Sequence, residues 1–148
     1  MKRTLLVAVL SLLPVARLYA HSGSEDKIPV LIVSGANNHD WQWTSPSLSS
    51  MLEESGKFDV SITYDPAKDL ADEKNLRRYQ VLVLDYNGPR WGPEAEAAFL
   101  SAVRGGMGIS VIHAANNAFP GWTEYEQLVG HTSRKGPGHG RFHRFGTP

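Results

Sequence analysis

A glycine stop followed by a short apolar run is the feature of this chain that most constrains its fold. Gly105 and Gly106 can adopt the positive φ angles that end a helix, and residues 109–112 are mostly β-branched. Such a run is typical of a parallel strand that is covered on both faces. The polar residues just beyond it are His113, Asn116 and Asn117. Because ligands bind outside the carboxyl ends of strands in open parallel α/β sheets, this stretch predicts a fold class and a place for a site.

Three more segments have the pattern of strands. Residues 29–34 and 81–84 are continuous apolar runs, whereas residues 58–62 alternate with polar ones, which indicates a half-exposed outer strand. Residues 65–78, between the segments 58–62 and 81–84, are rich in charge and predict a loop with one short helix. Strands that alternate with helices predict an α/β fold, a doubly wound and mostly parallel sheet with helices on both faces.

Proline and glycine mark the predicted helices. Ser45 and Pro46 predict a helix start, with a hydroxyl cap and proline at the first helical position. Pro93 predicts a second start, and the capping-box spacing of Thr123 and Glu126 predicts a third. The predicted inner face of the first helix consists of Leu48, Met51 and Leu52.

Charge and cysteine content exclude several classes of function. The 148 residues, enough for one domain, carry 15 basic and 15 acidic side chains. This balance argues against nucleic acid or an anionic membrane as the main partner, since both require a basic excess. The chain has no cysteine, which excludes disulfides, a thiolate nucleophile and cysteine metal ligands.

The first twenty residues differ from the rest of the chain. Lys2 and Arg3 precede an uncharged apolar run over residues 5–15, and Ala20 is a small residue at the expected cut. This pattern predicts a signal peptide over residues 1–20, a leader over 21–28 and one domain over 29–148. The mature protein is then secreted or periplasmic, with no membrane attachment after cleavage. The alternative is an uncleaved anchor.

Three predicted loops at one edge of the sheet hold most of the residues that could carry chemistry. Indole faces beside amides and carboxylates suit a sugar, whose CH faces stack while its hydroxyls need polar partners. In the alternative, the aromatic rings only lock the loops onto the body. The predicted substrate contacts are Trp41, Asn87, Trp91, Asn116, Asn117 and Trp122, and the fourth tryptophan is Trp43.

The predicted catalytic residues are His113, His39 and Asp40. Histidine exchanges protons near neutral pH, and no G-x-S-x-G serine motif is present. Asp40 is expected to serve the ligand, a helix N-terminus or local loop hydrogen bonds. For His113 the alternative is a structural role.

A metal is the one cofactor that the sequence suggests. His143, four residues after His139, could join His39 or His113 on zinc, since imidazole suits that metal. The alternative is a solvated basic tail.

Several short motifs in order resemble the trehalose-utilisation (ThuA-like) family. They are residues 30–35, Asn38-His39-Asp40-Trp41, Ser45-Pro46, residues 81–85, Asn87-Gly88, and Gly105-Gly106-x-Gly108 through His113-Ala114-Ala115. The resemblance implies a flavodoxin-like fold of the class I glutamine amidotransferase-like superfamily, and a role in carbohydrate metabolism. It also implies that the site lies at His39, Asp40, Asn87, His113 and Asn116.

Two departures from the family pattern limit that resemblance. Amidotransferase relatives place a catalytic cysteine where this chain has Ile112-His113-Ala114, so glutaminase activity does not carry over. Family members also continue past the position of Pro148, which predicts an incomplete domain. We therefore expect an enzyme that processes a glycoside or keto-sugar, a non-catalytic carbohydrate-binding or interaction domain, or an inactive fragment. The sugar, the bond and the oligomeric state stay open.

Overall fold

A wholly parallel four-stranded sheet forms the centre of the protein in a computed structural model that describes residues 26–130. The strands are β1 (Ile28–Val33), β2 (Phe58–Thr63), β3 (Val81–Leu84) and β4 (Gly108–Val111), in the order β2-β1-β3-β4. This order, with β1 between β2 and β3, is that of flavodoxin-like sheets. The predicted fold class is confirmed.

Helices cover both faces of this sheet. They are α1 (Trp41–Glu54), α2 (Pro66–Asp69), α3 (Glu73–Leu76), α4 (Pro93–Arg104) and α5 (Thr123–Val129). Because side chains alternate along a strand, Val30 and Ile32 face α1, while Leu31 and Val33 pack on the other side with α2 to α5. No helix within residues 26–130 is long and apolar enough to cross a membrane.

Helix α1 begins earlier than the sequence pattern predicts. Asp40 is its N-cap, and the carboxylate accepts the backbone N–H of Trp43 at 3.3 Å. Pro46 therefore lies inside the helix, where it lacks only one intrahelical hydrogen bond, and the predicted start at Ser45-Pro46 is wrong. The acidic cap and the buried Ser45, which is hydrogen-bonded to the sheet, outweigh that loss.

Two further details of packing correct the sequence analysis. Met51 is 66% exposed, whereas Leu48 and Leu52 pack on the sheet, because position 51 lies about 100° around the helix from position 52. Ser110 is exposed and β4 alternates between exposed and partly buried residues. β4 is thus not covered on both faces by the described residues: Ile109 and Val111 pack against the core, whereas Gly108 and Ser110, on the other face, are exposed.

The residues at the end of α4 and at the start of α5 also differ from the prediction. Gly106 takes a positive φ of 103°, whereas Gly105 keeps a right-handed helical conformation. Thr123 does not cap α5; the residue at that position is Trp122, which makes no side-chain capping bond. Glu126 instead accepts the N–H of Gly121 at 2.9 Å. The predicted signal peptide and the tail with His139 and His143 lie outside the described residues.

Candidate functional site

The loops that follow β1 and β3 run side by side at the carboxyl edge of the sheet, where the strand order reverses. This is the position at which flavodoxin-like sheets bind ligands. The backbone N–H of Asn87 donates to the carbonyl of Ala36 at 2.8 Å. The side-chain amide of Asn87 also donates to the amide oxygen of Asn38 at 3.2 Å. The two carboxamide groups therefore join the two loops by a hydrogen bond.

His39 and His113 come together beside these amides. Their ring centroids are 5.0 Å apart and the ring planes are tilted by 49°. β3 separates the two strands that precede them, so the strand ends lie about 10 Å apart, and the β1–α1 loop must lean over β3. Both histidines are exposed. We call Asn38, His39, Asn87, His113 and Asn116 the polar rim.

The orientation of the His113 ring is set by Asn116. The side-chain oxygen of Asn116 lies 3.2 Å from Nδ1 of His113. An amide oxygen only accepts hydrogen bonds, so in the neutral ring the proton sits on Nδ1 and the lone pair on Nε2. Nε2 is therefore available to take a proton or to bind a metal.

A buried polar network lies directly beneath the rim. Asp85, only 1% exposed, accepts hydrogen bonds from Asn37 at 2.9 Å and from Ser45 at 2.7 Å. Ser34 lies 2.7 Å from the hydroxyl of Ser45. From the sequence, Ser45 was expected only to cap a helix, and Ser34, Asn37 and Asp85 had no predicted role in the site. One signal was available: Ser34 and Asp85 are the first polar residues after the apolar runs of β1 and β3.

Asp40 and Trp41 take positions at the start of α1. The carboxylate of Asp40 caps the helix, which agrees with the expectation that it serves a helix N-terminus. Trp41 is partly exposed and its ring lies 5.6 Å from that of Tyr64, centroid to centroid. Tyr64, which follows β2, is an exposed aromatic that the sequence analysis missed. Trp43 is 69% exposed.

Trp91 and Trp122 do not lie on the rim. They are 4% and 5% exposed, so they offer almost no ring face for a sugar, and the alternative of locking the loops is favoured. Burial raises the pKa of Tyr86 and of Tyr125 in the same group. The aromatic cluster to which both tryptophans belong consists of Tyr86, Trp91, Phe99, Phe119, Trp122 and Tyr125.

The side chain of Arg90 packs against the outer side of the aromatic cluster. Its guanidinium carbon lies 4.3 Å from the ring centroid of Trp122, and its Nε donates to Glu96 at 2.6 Å.

Asn117, also predicted as a substrate contact, is partly buried. Its side-chain oxygen has no hydrogen-bond partner among residues 26–130.

The described residues bring two of the three candidate metal ligands together. His39 and His113 are adjacent, while His143 lies outside the described part of the chain. Within that part, no group of three or more His, Asp or Glu side chains is placed to hold a metal ion. Zinc binding by the histidine pair stays a prediction.

Comparison with known proteins gives one family and two solved structures. The family model of ThuA, described as trehalose utilisation, matches residues 29–145. A ThuA-like protein from Parabacteroides merdae is 38% identical, with a TM-score of 0.67 over 75% of this chain and 41% of that chain. A ThuA-like protein from Bacteroides uniformis is 19% identical, with a TM-score of 0.58 over 77% of this chain and 47% of that one, and supports the fold alone. This chain thus spans less than half the length of either structure. No curated protein matches it.

Proposed function

The chain belongs to the ThuA (trehalose utilisation) family, and on that premise we propose that it acts on a carbohydrate at the polar rim. The substrate class is a glycoside or a keto-sugar, in keeping with a role in carbohydrate metabolism. The proposal rests chiefly on one observation, the pair of imidazoles 5.0 Å apart at the switch point of the sheet. We further propose that the protein acts outside the cytoplasm, as the signal-peptide pattern of residues 1–20 predicts.

His113 is suited to be the general base. The hydrogen bond with Asn116 leaves Nε2 as the acceptor, and an exposed ring can reach a bound sugar. It would take a proton from water, from a hydroxyl, or from the carbon beside a keto group. His39, whose ring lies 5.0 Å from that of His113, would donate a proton to the departing or developing oxygen. We assign Asp40 no part in this exchange, because its carboxylate caps α1.

The carboxamides of the rim would bind the hydroxyls. Asn38 and Asn87 already share one hydrogen bond, and each amide group has more than one donor or acceptor position. Adjacent sugar hydroxyls need such paired polar partners. The backbone N–H of Trp41 donates to the carbonyl of His39 at 2.8 Å, and its partly exposed ring would supply the aromatic face for the sugar.

Turnover by the full chain tests the enzymatic role. Glycosides and the corresponding keto-glycosides are incubated with the protein, with zinc and with a chelator, and products are followed by NMR. General base catalysis contributes about 10²–10⁴-fold, so we expect His113→Ala to lower the rate by at least about 100-fold. Ser110→Ala, at an exposed position of the preceding strand, is the matched control and keeps the wild-type rate. Equal rates for both variants contradict the assignment of His113.

A second candidate is sugar binding without turnover. It is favoured by the lack of any cysteine, since the nucleophile of the amidotransferase-like superfamily is then missing. Calorimetry followed by recovery of the ligand separates the two functions. A binder releases heat and returns the sugar intact, whereas an enzyme returns product.

A further inference from the structure

The buried carboxylate of Asp85 connects three segments of the chain below the polar rim. Asp85 follows β3 and is 1% exposed. One of its oxygens accepts from Asn37 in the β1–α1 loop at 2.9 Å, and the other accepts from Ser45 in α1 at 2.7 Å. A buried carboxylate is stable only when it is hydrogen-bonded, so its partners are held to this place in the fold.

The direction of the bonds follows from the number of protons available. An ionised carboxylate only accepts, and a serine hydroxyl has a single proton. Ser45 therefore donates to Asp85, and Ser34 donates to Ser45 across the 2.7 Å that separates their oxygens. This arm of the network joins α1 to the end of β1, and it does not touch either histidine.

The other arm leads to the histidine pair. Asn37 uses both ends of its amide group: Nδ2 donates to Asp85, and Oδ1 accepts the backbone N–H of His39 at 3.2 Å. Asn37 is thus a bridge from a buried negative charge to the backbone of His39. Hydrogen bonds to charged groups are roughly twice as strong as neutral ones, which makes this a firm anchor for a loop that otherwise lies exposed at residues 38–40.

We infer that Asp85 and Asn37 are positioning residues, which hold the β1–α1 loop so that the ring of His39 stays beside that of His113. The inference deepens the proposed function, on which it rests only for its kinetic readout. Its structural readout is the distance between two rings, which can be measured without a substrate.

The test is an exchange of the two side chains in the full chain. Asn37→Asp alone places two carboxylates at the 2.9 Å contact, and their repulsion should displace the loop. Asp85→Asn combined with Asn37→Asp restores a donor and an acceptor, and the carboxylate introduced at position 37 can also accept from the backbone of His39. NMR detects the Overhauser effect between the imidazole protons of His39 and His113. We expect the effect to be lost in Asn37→Asp and in Asn37→Ala, and to return in the exchanged pair.

Ser45→Ala is the matched control, because it removes the partner of Asp85 that does not lead to His39. It should lower Tm by about 5 °C or more and leave the Overhauser effect in place. For turnover, we expect kcat to fall about tenfold in Asn37→Ala, with KM little changed, and to recover in the exchanged pair. A lost Overhauser effect with an unchanged rate supports the anchor but removes His39 from the reaction. An Overhauser effect that survives in folded Asn37→Ala, or that is lost equally in Ser45→Ala, overturns the inference.

Discussion

The polar rim and the aromatic cluster occupy similar positions in the chain but differ in burial: the rim histidines are exposed, whereas the aromatic rings are buried. Both derive largely from residues that follow strands at the carboxyl edge of the sheet, and each contains residues that the sequence analysis assigned to the site. In the rim, His39 and His113 are exposed, and each is hydrogen-bonded to an asparagine side chain, Asn37 and Asn116 respectively. In the cluster, Trp91 and Trp122 are buried among four other aromatic rings.

The difference shows that a position just after a strand does not by itself determine whether a side chain is exposed or buried. Connectivity brings a residue to the carboxyl edge of the sheet, but the neighbouring side chains decide whether it faces solvent or the core. A polar side chain can stay exposed because it is hydrogen-bonded to a polar neighbour, as His113 is to Asn116. An indole ring is more stable packed edge-on against other rings than exposed to water, and Trp122 packs in this way against Phe119, with ring centroids 5.3 Å apart.

The largest expected effect is on the aromatic cluster. Trp122→Ala removes a ring that stacks on Tyr125 at 5.4 Å and lies under Arg90. We expect a loss of about 3–5 kcal/mol in the free energy of unfolding, as for other buried aromatic truncations, measured by urea denaturation. Trp43→Ala, at the 69% exposed position, should change it by less than about 0.5 kcal/mol. If Trp122→Ala instead keeps its stability and loses sugar affinity, Trp122 belongs to the rim.

A glycine below the rim should be nearly as sensitive. Gly35 has a φ of +108°, and a Cβ there would lie 2.2 Å from the carbonyl oxygen of Tyr64. Backbone strain and the clash together should make Gly35→Ala less stable by about 2–4 kcal/mol. Gly56→Ala is the control, since Gly56 has a φ of +73° with open space around it, and should lose about 1 kcal/mol. Thermal unfolding of the two variants compares them, and equal losses would mean that the β1–α1 loop is not packed as tightly as described.

The hydrogen bond to His113 should have a moderate effect on activity and almost none on stability. Asn116→Ala frees Nδ1 of His113, so the ring loses its preferred orientation and tautomer. We expect turnover to fall about tenfold, the equivalent of one hydrogen bond of about 1.4 kcal/mol. Asn75→Ala in α3, whose side-chain oxygen accepts a hydrogen bond from Arg78 at 3.3 Å, serves as the control for the assay. A rate equal to that of the control would mean that Asn116 does not orient the base.

The smallest expected effect is the pH dependence of the ion pair that covers the aromatic cluster. Hydrogen bonds from Arg90 lower the pKa of Glu96. Because this pKa is lower in the folded than in the unfolded state, the carboxylate stabilises the fold above its unfolded pKa of about 4.3. That stability is lost as the pH falls through the folded pKa.

Glu96→Gln is therefore expected to cost less than about 1 kcal/mol at pH 7 and to make unfolding less dependent on pH below about pH 5. Urea denaturation at pH 7 and pH 3 measures both quantities. Glu73→Gln breaks the exposed pair with Arg77 and should have an even smaller effect. An identical pH dependence in wild type and Glu96→Gln would show that the pair adds nothing to the cluster.

The sequence was sufficient for the strands because their signal is local. The apolar run of residues 81–84 and the alternation of residues 58–62 predict a buried and an outer strand, and the sheet order agrees. The start of α1 was misplaced because two caps compete: Asp40 and Ser45 are both good N-cap residues. Only the tertiary structure shows that the hydroxyl of Ser45 donates a hydrogen bond to Asp85 instead of capping the helix.

The amino-acid sequence by itself determined the α/β class, the mostly parallel alternation of strands and helices, and the edge of the sheet at which the histidines lie. These follow from the hydrophobic pattern and from chain connectivity, both of which act between near neighbours. Only the tertiary structure decided that His39 meets His113, that Trp91 and Trp122 are buried, and that Asp85 is hydrogen-bonded to Asn37 in the loop between β1 and α1. Those outcomes depend on contacts between residues up to 74 positions apart (His39 to His113), whose free energies are fixed by packing and hydrogen-bond geometry that no local pattern contains.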